Sequence, residues 1–218
     1  MKNAGIVLLF FWIASLQAQV FEFTSDRMGT PTHHRILMDK EYIIETVYQI
    51  DPAVFITTRG GYYKKDGNRI QSDLEFNSNF ENDALKTAQW DSSQWIQKKS
   101  QEQVLDGKWL MAGRVKTEGE QRRDINRSRK TQKFLIDGHF QWTAFNTETF
   151  QFFGSGGGTY TAHAGAYVEQ IDYFSRDNSR AGAALSFEYD LRGKDWYHKG
   201  RSSKGQPLHE IWTQRPPQ

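Results

Sequence analysis

From Ala183 to Leu191 the chain alternates: Ala183, Leu185, Phe187, Tyr189 and Leu191 on one side, Ala184, Ser186, Glu188 and Asp190 on the other. A period of two places one wall against a core and the other in water, which predicts a β-strand. Similar runs recur between Lys133 and Ser175, with Asp137-Gly138 and Ala164-Gly165 between them. Glycine accepts the positive φ of a tight turn, so these dipeptides predict hairpins. Upstream, strands are predicted at Val20–Phe23, Arg35–Met38, Tyr42–Gln49, Val54–Tyr63 and Arg69–Asn77, with Asp66-Gly67 as a turn, then at Leu85–Trp90 and Gln94–Lys98. A polar loop carrying His33 and His34 is expected after the first. Downstream, Asp195–Lys199 and Leu208–Gln214 read as strands, and Pro216-Pro217 ends the ladder.

The upstream half echoes the downstream one. Leu37, Asp39, Phe55, Gly60, Gly61, Tyr63 and Ser78 recur as Leu135, Asp137, Phe152, Gly157, Gly158, Tyr160 and Ser175 if one gap is allowed. Short strands without intervening helices favour a sandwich or an up-and-down barrel, and a barrel leaves no unpaired edge. The expectation is an all-β chain of two tandem antiparallel β-barrels, residues 19–100 and 101–218, the first shorter and less regular. Leu208–Gln214 is expected to pair with Gly107–Arg114 and close the second.

Residues 1–18 hold Lys2 and an apolar run from Ala4 to Leu16, too short for a bilayer span and followed by the small Ala18. That pattern predicts a secretory signal peptide and an exported, periplasmic or secreted protein, not an integral membrane one. The absence of cysteine excludes a disulfide scaffold, thiol nucleophiles and thiolate metal sites. A net charge of +2 asks for no anionic partner in bulk, and 14% aromatic residues suit many short strands. The basic stretch from Arg114 to Lys133 lacks apolar periodicity and reads as a solvated lid loop, with contact to an anionic surface as the alternative. It lacks the aromatics of a nucleic-acid stacking platform, and no nucleic-acid partner is expected.

The second unit resembles the bacterial secreted lipocalin-like domains of the calycin superfamily. Gly107-Lys108-Trp109 is similar to the Gly-x-Trp of a lipocalin first strand, and GGGTYTAHAGAYVEQIDYFS and LHEIWTQR to further signatures of these domains. The resemblance implies lipocalin-like eight-stranded up-and-down barrels with a cavity for a small, apolar ligand, and no established activity. The first unit lacks Gly-x-Trp and carries Ile70 and Ser72 where the second has Tyr167 and Glu169.

Alternation assigns Tyr167, Glu169, Ile171 and Tyr173 to one face, and pairs Trp196 with His198 and Glu210 with Trp212. The ligand-binding candidates are therefore Trp142, Tyr160, Tyr167, Glu169, Trp196, His198, Glu210 and Trp212. Two buried carboxylates in an aromatic cavity would be expected to titrate high, so an enzyme using Glu169 and Glu210 as acid and base and His198 as proton carrier is an alternative. The blander reading has them bonding their neighbours and specifying the core. His198, Glu169 and Glu210 suit a divalent cation by type, and His198 a haem, but no ligand spacing supports either; no metal or cofactor is expected. Gly154-Ser155-Gly156-Gly157-Gly158 reads as a bend in a coiling strand rather than a phosphate loop, because no helix follows it. No Gly-x-Ser-x-Gly elbow is present to support a serine hydrolase. A structural envelope component is the third possibility, recognisable by a filled barrel.

Overall fold

A computed structural model describes residues 19–99, 101–202 and 205–218. The expected signal peptide lies outside these. The first sheet contains Gln19–Arg27 (β1), Thr30–Met38 (β2), Tyr42–Ile50 (β3), Ala53–Asp66 (β4), Arg69–Asn77 (β5), Thr87–Asp91 (β6) and Ile96–Gln97 (β7), in the order β6-β5-β4-β3-β2-β1-β7. Its ends do not pair, and it forms a curled half-barrel. The second contains Gly107–Lys116 (β8), Gly119–Arg122 (β9), Arg129–Ile136 (β10), His139–Asn146 (β11), Phe152–His163 (β12), Ala166–Phe174 (β13), Ala184–Arg192 (β14), Asp195–Arg201 (β15) and Pro207–Gln214 (β16). Strand β8 pairs with both β16 and β10, which closes eight antiparallel strands into a barrel; β9 is a hairpin on the free length of β8.

The local chemistry explains the hairpins. Asp137 (φ 50°) with Gly138 (φ 73°) and Ala164 (φ 48°) with Gly165 (φ 82°) turn β10 into β11 and β12 into β13. Met28 (φ 55°) and Gly29 (φ 80°) do the same between β1 and β2. The expected polar loop is therefore a continuous hairpin, and His33 and His34 stand within β2. Methionine at a left-handed position is a weak turn marker, and that concealed it.

The repeat is real and needs no gap. In the first unit Gly60 opposes Phe76 and Gly61 opposes Leu74; in the second Gly157 opposes Tyr173 and Gly158 opposes Ile171. Every partner is shifted by 97, and the same shift relates Ser72–Ala88 to Glu169–Leu185. Two bulges recur with it, at Val47/Tyr48 and Ala144/Phe145, and at Gly60/Gly61 and Gly157/Gly158. Ser78 Oγ accepts from Thr58 N at 2.8 Å, and Ser175 Oγ accepts from Ser155 N at 2.9 Å. The gapped alignment of Leu37 with Leu135 and Asp39 with Asp137 is corrected by one residue. Leu37 pairs with Ile44, and Ile44 corresponds to Gln141, whose partner is Phe134. Leu37 thus matches Phe134, and both face away from their own unit's interior. Strands β9 and β15 have no counterpart in the first unit among the described residues.

The two units pack back to back through these equivalent strands. Tyr48 meets Tyr173 at 4.9 Å between ring centroids, and the corresponding pair Phe145 and Phe76 also lies at 4.9 Å. Phe55 and Phe152, counterparts of each other, stack at 6.4 Å, as residues beside a pseudo-two-fold axis should. At the centre Gln141 Oε1 accepts from Thr46 Oγ1 (2.7 Å) and Tyr173 OH (2.9 Å), while Nε2 donates to Thr58, Thr143 and Ser155 hydroxyls. Arg35 binds Asp172 at 2.7 Å; at the related place Arg215 binds Glu75 at 2.7 Å and also Gln132, the counterpart of Arg35. Buried polar groups with this many partners fix orientation as well as contact.

Candidate functional site

The barrel core is closed below by Trp109, Leu135, Phe140, Tyr160, Tyr167 and Trp196, all buried. Trp109 of the Gly-x-Trp segment donates through Nε1 to Leu105 O at 2.8 Å and meets Trp196 edge-on at 5.7 Å. Above them is a cavity of about 470 Å³, partly open to solvent, with apolar walls from Met111, Trp142, Ile171, Phe174, Leu185 and Trp212. The glycine tract of β12 makes room for this wall. A Cβ on Gly156 would fall 2.7 Å from Trp142 Nε1 and 2.9 Å from Phe174, whose rings meet edge to face at 5.5 Å. A methyl on Gly158 would overlap the Gln170 carbonyl oxygen. The tract continues as a strand through Thr159-Tyr160-Thr161 and has the bulge expected of a coiling β12.

Of the sequence-predicted residues, Trp142, Glu169, His198, Glu210 and Trp212 line the cavity together. Tyr160, Tyr167 and Trp196 lie in the core beneath it; Tyr160 OH donates to Asp106 and Tyr167 OH to Glu169 Oε1 at 2.8 Å. The face assignment fails at one point. The bulge at Gly157/Gly158 inserts Asp172, so Tyr173 turns outward to Tyr48 and Gln141, and Phe174 turns inward.

Sequence reasoning missed Lys133, an inward residue of β10. Its Nζ bonds Glu169 Oε1 at 2.8 Å, both side chains nearly solvent-free, and lies 4.9–5.9 Å from the ring centroids of Tyr167, Phe187, Trp196 and Trp212. Its alternation with Leu135 and Thr131 was the available clue. Glu210 accepts from Trp212 Nε1 at 3.2 Å and lies 3.7 Å from Arg114. Burial pushes its carboxyl up, but His198, Lys133 and Arg114 together hold it below the usual value. This corrects the expectation that it titrates high. His198 is 2% exposed; burial and the Lys133 charge push its imidazole down to about 4. Nδ1 stands 3.6 Å from Glu210 Oε2, in electrostatic contact though longer than a hydrogen bond, and neither ring nitrogen has a closer hydrogen-bond partner. Among the described residues no three His, Cys, Asp or Glu side chains gather as a metal-binding group.

The basic stretch is more ordered than a solvated loop. Arg114 and Lys116 belong to β8, β9 folds back on it, and Arg129 and Lys130 open β10. Arg114, Arg123 and Arg129 reach the cavity, joined by Arg176 and Arg180 from beyond β13.

The first unit has a different interior. Glu45 Oε1 lies 3.1 Å from His34 Nδ1, and Oε2 accepts from Arg59 at 2.9 Å and Trp90 Nε1 at 2.8 Å. Burial raises this carboxyl, but His34, Arg59 and Trp90 outweigh it and hold it low. The counterpart of Glu45 is Trp142, so the two units do not share a site.

Fold and cavity define an all-β protein, a closed eight-stranded antiparallel barrel with a curled half-barrel on its outer wall, compatible with a calycin-like fold. No family model matches the chain, and no curated protein matches it. Among the described residues no helix is long and apolar enough to cross a membrane.

Proposed function

We propose that this is an exported binding protein that holds a small, partly apolar molecule in the cavity of the C-terminal barrel. The observation that carries the reading is the cavity itself: about 470 Å³, aromatic and aliphatic walls, and convergent polar side chains, Glu169, His198 and Glu210 among them. That is the general form of a small-molecule site. Resemblance to the secreted lipocalin-like domains supports the same reading and, with residues 1–18, export.

The acid–base alternative is less well supported. Glu210 is held ionised, and His198 stays neutral down to about pH 4, so neither is poised to donate a proton near neutrality. A purely structural role leaves the hollow barrel without a purpose.

The test is saturable binding of the neutral fluorophore N-phenyl-1-naphthylamine, followed by fluorescence. Ala144 lines the cavity on β11 and is 5% exposed, so Ala144→Trp fills the space. Wild type is expected to bind one probe per chain, and the variant, folded by circular dichroism, none. Binding that survives in Ala144→Trp, or is absent from wild type, refutes the proposal.

A further inference from the structure

Six cations line the cavity, against two carboxylates, Glu169 and Glu210. Lys133 is committed to Glu169, Arg114 lies 3.7 Å from Glu210, and Arg180 pairs with Asp177 at 3.3 Å. Arg123, Arg129 and Arg176 have no carboxylate partner among the described residues. Arg123 Nε donates to Met111 O at 2.5 Å, Arg129 to Lys130 O at 2.9 Å, and Arg176 Nε to Phe153 O at 2.8 Å. The Arg129 guanidinium also stacks 3.5 Å from the Phe153 ring centroid, so Arg129 and Arg176 are gathered on one residue. These backbone and ring contacts orient the guanidiniums and neutralise none of them.

Their charges are felt by one another. Burial and then the neighbouring Arg127 and Arg129 push Arg123 down to about 10; burial, Arg127 and Arg176 push Arg129 down. Like charges brought this close are unfavourable unless something answers them. Deeper in the same cavity His198 is almost solvent-free, with Glu210 Oε2 3.6 Å from its Nδ1.

We propose that the molecule held in this cavity carries an oxyanion, a carboxylate or phosphate, which Arg123, Arg129 and Arg176 grip at the mouth while its apolar part lies against Trp142, Phe174 and Trp212. The inference rests on the binding function proposed above and adds the chemical class of the ligand. Guanidinium forks suit either oxyanion, giving two parallel charge-assisted hydrogen bonds where a lysine gives a point charge. The arginines stand at the ends of elements at the rim: Arg123 follows β9, Arg129 is the first residue of β10 and Arg176 follows β13, its guanidinium 5.9 Å from the Trp142 ring centroid. Their charge, gathered at the rim, therefore sets ligand class.

The experiment is displacement of bound N-phenyl-1-naphthylamine by four twelve-carbon probes: dodecanoate, dodecyl phosphate, dodecanol and dodecyltrimethylammonium. One or both anions are expected to bind about ten-fold or more tightly than dodecanol, the size of a charge-assisted hydrogen-bonded pair. The advantage is expected to shrink with added salt, and whichever anion binds best identifies the headgroup. Arg129→Gln and Arg176→Gln are each expected to reduce the preference for anion over dodecanol several-fold, with an unchanged circular dichroism spectrum reporting that the barrel is intact. If the fluorophore binds but anions and dodecanol displace it equally, or the ammonium probe wins, the oxyanion proposal is overturned and cavity binding stands. If the fluorophore does not bind wild type at all, it is the binding function that fails. Should a variant not fold, the wild-type ranking and its salt dependence decide alone.

Discussion

Replacing Lys133 by methionine is expected to destabilise the protein by about 3 kcal/mol. Methionine keeps most of the side-chain length against Tyr167, Phe187, Trp196 and Trp212, so the loss reports charge rather than packing. The ammonium bonds Glu169 at 2.8 Å, with the two side chains 5% and 6% exposed. Removing one member of a buried pair costs about 3–5 kcal/mol. The lower end applies, because Glu169 keeps the Tyr167 hydroxyl at 2.8 Å and borders the cavity, where solvent can reach it. The reverse change is gentler. In Glu169→Gln the ammonium still faces four aromatic rings, and a cation–π contact contributes about 0.5–2 kcal/mol; the loss is then about 1–2 kcal/mol. Since the two side chains touch, the double variant is expected to fall short of the sum by about 2 kcal/mol. Urea unfolding monitored by tryptophan fluorescence, run as a double-mutant cycle, measures all three. Additivity within about 0.5 kcal/mol would refute the coupled pair, and Glu169→Gln costing more than Lys133→Met would refute the compensating role of the rings.

Stability is expected to fall as pH drops from 6.5 to 5. His198 has a folded-state value near 4 against an ordinary 6.5, so across that window the unfolded chain binds a proton that the native protein refuses. His139, also pushed down by burial and Arg35, acts in the same direction. His198 contributes about 2 kcal/mol over the window, and His198→Phe should flatten the slope by that amount in urea titrations. Gly61→Ala and Gly158→Ala, whose methyls would meet the carbonyl oxygens of Asp73 and Gln170, are each expected to cost about 3 kcal/mol or more. Gly193→Ala, with φ +61° and open space around it, should cost about 1 kcal/mol, and comparison of the thermal midpoints tests the contrast. Gln141→Leu strands the Tyr173 hydroxyl between the two units, while Thr46 keeps the Thr58 hydroxyl at 2.8 Å, and should cost about 1–3 kcal/mol; an unchanged urea midpoint would show that the network does not join them.

Much of the architecture was legible. Alternation placed Leu185, Phe187 and Tyr189 of β14 on the inward side, with Leu191 at the strand end exposed instead; Asp137-Gly138 and Ala164-Gly165 marked true turns, and the pairing of β16 with β8 followed from strand order. Bulges were the chief source of error. The one at Gly157/Gly158 inserts a residue that period-two reasoning cannot see and puts Tyr173 on the opposite face, whereas the needless gap at Leu37 and Asp39 comes from the like residues Leu135 and Asp137 standing one place off the true register. Charge misled in another way. Lys133 was counted as part of a solvated basic stretch, although it alternates with Leu135 and points into the barrel. Arg114, Arg123 and Arg129 read as lid charges in the sequence, whose order conceals that Arg176, more than forty residues after Lys130, comes to the same opening.

The back-to-back arrangement leaves the barrel mechanically lopsided. Strands β10 to β12 are covered on both faces, by the core inside and the half-barrel outside, whereas β14 shows long exposed runs. A strand supported on one side only opens more readily than one held on two. Breathing of the container should therefore be borne by the β14 flank, with the opposite wall as a fixed backrest, and hydrogen exchange should register that asymmetry strand by strand. A guest entering this protein meets one wall that yields and one that does not.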